Sequence, residues 1–170
     1  MGYTASAIRV DPITTKHITM KEGKYPKFTK EQRSTFRYWF WHWLAFNDVA
    51  REMGVWKIHH LFHDIEKPWL RLFLPYRKVQ EIHRHNSPHH LEYKDPENRD
   101  WIDMVIDWEC SGRTKEACPR NAIEEATHKL DEKTMSYMDY CKFYATYRYL
   151  IRHKEEIFTK NHVKVVEKSY

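Results

Sequence analysis

The sequence predicts an all-α domain built as a compact helical bundle. Only four glycines stand in 170 residues, and long stretches lack proline, whereas an all-β chain needs frequent turns. Apolar residues recur at helical spacing, as in Ile102, Val105 and Ile106. Composition is 41% hydrophobic and 15% aromatic, which marks a globular chain with enough material for one core.

Residues 1–30 hold Pro12, Pro26 and many Thr and Lys, and read as an extended arm. Thr29 or Ser34 is placed to N-cap an aromatic helix from about Glu31 to Met53, which Gly54 ends. Phe36, Phe40, Trp43, Leu44 and Asn47 fall on its neighbouring faces. A second helix is expected from near Trp56 through His59 to Lys67, with Ile58, Leu61, Phe62 and Ile65 as its buried side. Pro68 ends it or opens the next segment. Lys78 to His85 is helical, Asn86-Ser87-Pro88 breaks it, and 94–99 is a turn-rich loop. Further helices are predicted over Arg99–Glu109, stopped by Ser111-Gly112, then over Ala122–Leu130 and Ser136–Lys154. Residues 156–170 read as a polar C-terminal tail.

Three widely spaced cysteines (Cys110, Cys118, Cys141) read as free thiols in a reducing cytosol, not as a disulfide framework. No apolar run is long enough to span a bilayer, so a cytoplasmic protein without a membrane partner is expected. The net charge of +5 suits an anionic substrate; the basic residues are scattered, which leaves nucleic-acid binding open without favouring it. Oligomeric state is not legible.

Histidine is the anomaly. Seven of the twelve (His59, His60, His63, His83, His85, His89, His90) lie within one 32-residue window. His63-Asp64 stands inside an apolar run, where an imidazole and a carboxylate are costly unless paired. His42 lies in the first helix among tryptophans, and Asp107 in the Arg99–Glu109 helix, one turn beyond Asp103. Each residue alone is ordinary: a lone core histidine is more often hydrogen-bonded than metal-bound. The ordered series His42, His63-Asp64, a histidine cluster and Asp107 on successive segments points to a divalent metal. Imidazole and carboxylate donors without thiolate suit Mn, Fe, Co, Zn or Mg, as one ion or two. His59 and His60 gain no role.

This order resembles the HD-domain superfamily of metal-dependent phosphohydrolases. It is most similar to the small bacterial and phage family designated DUF5662, through His63-Asp64-Ile65-Glu66-Lys67, the segment from His83 to Tyr93, and Asp103-Met104-Val105-Ile106-Asp107-Trp108. Glu66 departs from the serine usual before the lysine. The resemblance spans roughly His42 to Lys115 and implies a bundle of HD type over residues 31–155. It implies His42, His63, Asp64 and Asp107 as ligands of a first metal. One histidine from each later pair, His85 and His89 with His83 and His90 as the alternatives, would hold a second ion or the substrate phosphate.

The implied activity is hydrolysis of a small phosphorylated substrate such as a nucleotide, with Asp64 orienting or deprotonating water and Lys67 and Arg84 neutralising the phosphate. Asp103 or Glu92 would back the ligand histidines. The alternatives are a di-iron oxygenase of the same fold and a non-catalytic metal-binding or interaction protein.

Overall fold

Six α-helices and no strand make up the described part of the chain. The computed structural model describes residues 24–116 and 121–167, with side chains as far as Ile157. Most of the expected arm, the Cys118 thiol and the last three residues lie outside the described residues. The fold is an all-α bundle.

A 3-10 turn, Glu31–Ser34, leads into α1 (Phe36–Glu52). The cap is Thr35, whose side chain accepts from Tyr38 N, not Thr29 or Ser34. Gly54 ends α1 as expected. It sits at φ +71, with Gly54 N bonded to Arg51 O and Val55 N to Ala50 O, the paired bonds of a Schellman stop.

Only one side of α1 is buried. His42, Ala45, Phe46, Asn47, Val49 and Ala50 point inward, while Phe36 and Phe40 are exposed. Both sides of this helix are aromatic, so periodicity alone does not choose between them. Packing against α4 (Trp101–Thr114) does, because Ala45 and Ala50 let the two helices approach closely.

The predicted helix over 56–67 is not formed. Ile58–Phe62 is a short 3-10 helix, the chain breaks at His63–Ile65, and α2 (Glu66–Arg71) then begins. Asp64 stands at φ 59, where no α-helix continues. Pro68 lies in the first turn of α2, where its missing N–H costs nothing. The expected burial is inverted as well. Ile58, Phe62 and Ile65 are exposed, and His60, His63 and Asp64 are buried.

α3 (Tyr76–Asn86) follows, and its break at Ser87 matches the expectation. α4 runs through Gly112 to Thr114, past the predicted stop. It ends where Thr114 O accepts from Phe28 N and Phe28 O accepts from Glu116 N, so the chain before α1 supplies the terminator. α5 (Ala122–Asp131) opens on a reciprocal Asn121/Glu124 capping box. α6 (Tyr137–Glu167) absorbs most of the expected tail.

The core lies among α1, α4, α5 and α6, with Phe46, Met104, Ala126, Phe143 and Leu150 fully buried and Trp108 against Phe143 at 4.7 Å. The tyrosines of α6 are split between this core and solvent: Tyr140 and Tyr147 pack inward, Tyr137 and Tyr149 outward. Cys110 and Cys141 are free thiols. Among the described residues no helix is long and apolar enough to cross a membrane.

Candidate metal centre

The site forms where α1 and α4 cross and two loops close over them. Trp39, Trp43 and Asn47, spaced four apart on one face of α1, donate to Asp64 O at 2.9 Å, Leu61 O at 2.9 Å and His60 O at 3.2 Å. Three donors from a rigid helix thus fix the backbone of the 60–64 segment. The left-handed turn at Asp64 then does what a regular helix could not. It aims adjacent side chains at one point, with His63 Nε2 and Asp64 Oδ2 3.5 Å apart. An aspartate tolerates this conformation better than most residues, at a cost of roughly 1 kcal/mol. Phe46 fixes the ring of His63 from below, stacked at 3.5 Å between centroids.

One group of donors meets on the α1–α4 side. His42 Nε2 lies 3.0 Å from Asp107 Oδ1 and 3.8 Å from Asp64 Oδ2, and His63 Nε2 lies 3.7 Å from Asp107 Oδ1. A second group meets on the α3 side. His83 Nε2 is 3.1 Å and His89 Nε2 3.6 Å from Asp64 Oδ1, and His90 Nε2 is 2.7 Å from His83 Nε2. Asp64 stands between the two, one carboxylate oxygen toward each. Donors sharing one ion at about 2.0–2.2 Å lie within about 4.4 Å of each other, and every pair quoted satisfies this.

The buried polar atoms without a hydrogen-bond partner make the case sharper. His63 Nε2, Asp64 Oδ1 and His89 Nε2 are all buried and unsatisfied, and all three point into this cluster. Such groups are costly to leave bare. A cation shared among them satisfies all three, so the cluster has the composition and spacing to hold a metal ion.

The tautomer of His83 agrees with this. Glu66 Oε1 lies 2.5 Å from His83 Nδ1. A carboxylate only accepts, so Nδ1 carries the proton and Nε2 turns its lone pair on the cluster. The Cys110 thiol donates to Asp107 O at 3.1 Å and its sulfur faces His42 Nδ1 at 3.5 Å, while without an ion His42 Nε2–H donates to Asp107 Oδ1 at 3.0 Å. His60 is the opposite case to His83. Its Nδ1 accepts from Lys57 N at 3.0 Å, so Nε2 holds the proton and donates to Asp103 Oδ1 at 3.0 Å. The buried His60–Asp103 pair, with the exposed His59 beside it, is therefore a structural hydrogen bond and not a third ligand set.

The charges are strongly coupled. Burial alone would raise Asp64 and Asp107, but His63 and Lys67 around the first, and His42 and His63 around the second, hold both carboxyls well below the usual range. Burial pushes His63 down to about 4 and His90 down to about 2, so both rings stay neutral. Burial also works against the charge of Lys67, yet Asp64 and Asp107 keep the ammonium raised, with Nζ 2.5 Å from Asp64 Oδ2.

Of the residues singled out from the sequence, His42, His63, Asp64, Lys67, His83, His89, His90 and Asp107 are brought together. His85 is not. It lies two residues from His83 on α3, about 200° around the helix, and faces solvent. His89 and His90 both converge, where one of the two was expected. Arg84 is exposed and pairs with Glu92 at 3.6 Å, and Asp103 serves His60, so neither acid backs a cluster histidine. That part falls to Glu66, whose only signal in the sequence was its departure from the resembling motif. Beside the cluster opens a cavity of about 310 Å³, whose walls include Arg33, Trp39, His42, Asp64, Lys67, Arg71, Tyr76, Arg84, His90 and Lys115.

No protein-family model matches this chain, and no curated protein or solved structure matches it either.

Proposed function

We propose that the chain is a metal-dependent phosphohydrolase of HD type acting on a small phosphate ester such as a nucleotide. The single observation that carries this reading is Asp64. It lies between two donor sets, His42/His63/Asp107 and His83/His89/His90, at the floor of a cavity with basic walls. His42, His63, Asp64 and Asp107 would hold one ion, and Asp64, His83, His89 and His90 a second. A bound divalent ion supplies a Lewis acid for a phosphoryl oxygen and a nucleophilic hydroxide near neutral pH.

The chain's own residues do the rest. Asp64 stays anionic, and its depressed pKa makes it an orienter of water and a poor proton acceptor. Lys67, held charged beside it, neutralises the developing negative charge at the floor. Glu66 fixes the imidazole of His83, and Trp39 fixes the turn that presents Asp64.

The test is elemental analysis of the purified protein, then a panel of nucleotides and phosphomonoesters assayed with added Mn²⁺, Co²⁺ and Mg²⁺. The expected result is metal-stimulated phosphate release that falls more than about 100-fold in His63→Ala and Asp64→Ala, beyond the 10–100-fold typical of outer partners. Metal-loaded protein that releases no phosphate from any compound would sink the reading. Oxygen consumption by iron-loaded protein instead would make it an oxygenase.

A further inference from the structure

Five basic side chains line the cavity beside the cluster, and four of them have partners. Lys67 is held by Asp64, Arg71 Nη1 donates to Leu74 O at 3.1 Å, Arg84 pairs with Glu92, and Lys115 donates to Ser111 Oγ at 2.7 Å. Arg33 differs. Its Nε and Nη2 are both buried, and neither has a hydrogen-bond partner among the described residues. These nitrogens form one edge of the guanidinium, the edge that makes two parallel hydrogen bonds to an oxyanion. Two buried N–H groups left bare on a half-buried cation are costly, and an anion in the cavity removes the cost.

The position of Arg33 separates it from the floor. It precedes α1 by three residues, while His42 lies on the second turn of that helix. Phe36, Trp39 and His42 all line the cavity, which therefore runs along α1. From Thr35 to His42 the helix rises roughly 10 Å, at about 1.5 Å per residue. The walls between the two ends are largely aromatic (Phe36, Tyr38, Trp39, Tyr76). Against two carboxylates at the floor, the cavity carries a cationic excess before any metal is added.

We infer that Arg33 is a specificity-determining residue that holds a phosphate group of the substrate through its Nε/Nη2 edge, away from the histidine–aspartate floor, so that the preferred substrate carries a second anionic group beyond the one at the floor. That the bound molecule is a substrate, and that Arg33 sets specificity for it, rests on the phosphohydrolase reading; the anion contact at the Arg33 edge does not.

The test needs no turnover. Inorganic phosphate is titrated calorimetrically into the metal-free full-length protein and into Arg33→Met, Arg33→Lys and Arg71→Met, each first shown to melt cooperatively. Wild type is expected to bind, with at least about tenfold weaker binding in Arg33→Met. Arg33→Lys falls between them, because charge remains but the fork is gone. Arg71→Met stays within about threefold of wild type, because its guanidinium is already engaged. Binding unchanged in Arg33→Met overturns the inference, as do equal losses in Arg33→Met and Arg71→Met, which would reduce the effect to general charge, or no binding by wild type. Arg33-dependent binding in a protein that hydrolyses nothing leaves the anion contact at Arg33 standing and removes the phosphohydrolase reading. Hydrolysis with Arg33-independent binding does the reverse.

Discussion

Asp64 is where the chemistry and the backbone meet. Its positive φ, its buried carboxylate and its place between two sets of imidazoles are one arrangement: the turn exists so that His63 and Asp64 face the same point. Glu66 is the residue whose importance is easiest to test. It hydrogen-bonds His83, whose Nδ1–H it holds at 2.5 Å, its carboxylate lies within 4.8 Å of Asp64, and its own side chain is 43% exposed. Glu66→Ala should therefore leave the melting temperature close to wild type and weaken metal affinity by about 10–100-fold. Competition against a fluorescent chelator measures this, and an affinity unchanged in Glu66→Ala would show that Glu66 does not tune the site through His83, whose Nδ1 also faces Ser87 Oγ at 3.0 Å. Much of this scale was legible. His42, His63, Asp64 and Asp107 were readable from residue type and order, and Lys67 from the resemblance. His83 against His85 was not, because the choice depends on which face of α3 the neighbouring loop covers.

At the scale of elements, the segment from Ile58 to Ile65 reverses ordinary burial. Its apolar side chains face solvent while its histidines and aspartate are enclosed. A 3-10 helix has three residues per turn, so it presents a different face from the α-helix the spacing suggested. The indoles of Trp39 and Trp43 then draw its backbone against α1. Two phenylalanines separate the consequences. Phe46 is fully buried beneath His63, and Phe46→Ala should cost about 3–5 kcal/mol and loosen metal binding. Phe62 is 62% exposed, and Phe62→Ser should stay within about 0.5 kcal/mol of wild type. Urea unfolding of both variants checks the pair, and a large loss in Phe62→Ser would contradict the inverted burial.

Over the whole molecule, enclosing these imidazoles ties stability to pH. His63 protonates at about 4 in the folded chain and near 6.5 when unfolded, and His90 is displaced further in the same direction. Between those values the unfolded chain binds more protons, so stability falls as pH drops from about 6.5 toward 4. Asp64 and Asp107, depressed when folded, add stability that is present above about pH 4 and lost below it. His89 is raised: burial opposes its charge but Asp64 outweighs it, so its contribution acts in the opposite sense and is lost as pH rises through its folded pKa. With three lowered histidines (His63, His83 and His90) against one raised, the metal-free protein should show a urea midpoint that drops from pH 7 to pH 5. A flat midpoint over that interval would contradict the neutral, enclosed state of His63 and His90.

The sequence by itself determined that the chain is an all-α bundle, because glycine content and apolar spacing are properties of local backbone preference and burial. It also determined which histidine and carboxylate donors are present and in what order. Only the tertiary structure decided the rest: the face of α1 that is buried, the turn at Asp64, the inclusion of His83 with both His89 and His90, and the bare guanidinium edge of Arg33 in the cavity wall. These depend on hydrogen bonds and packing between segments far apart in the chain, such as Trp39 to Asp64 and His42 to Asp107, which periodicity along one segment does not encode.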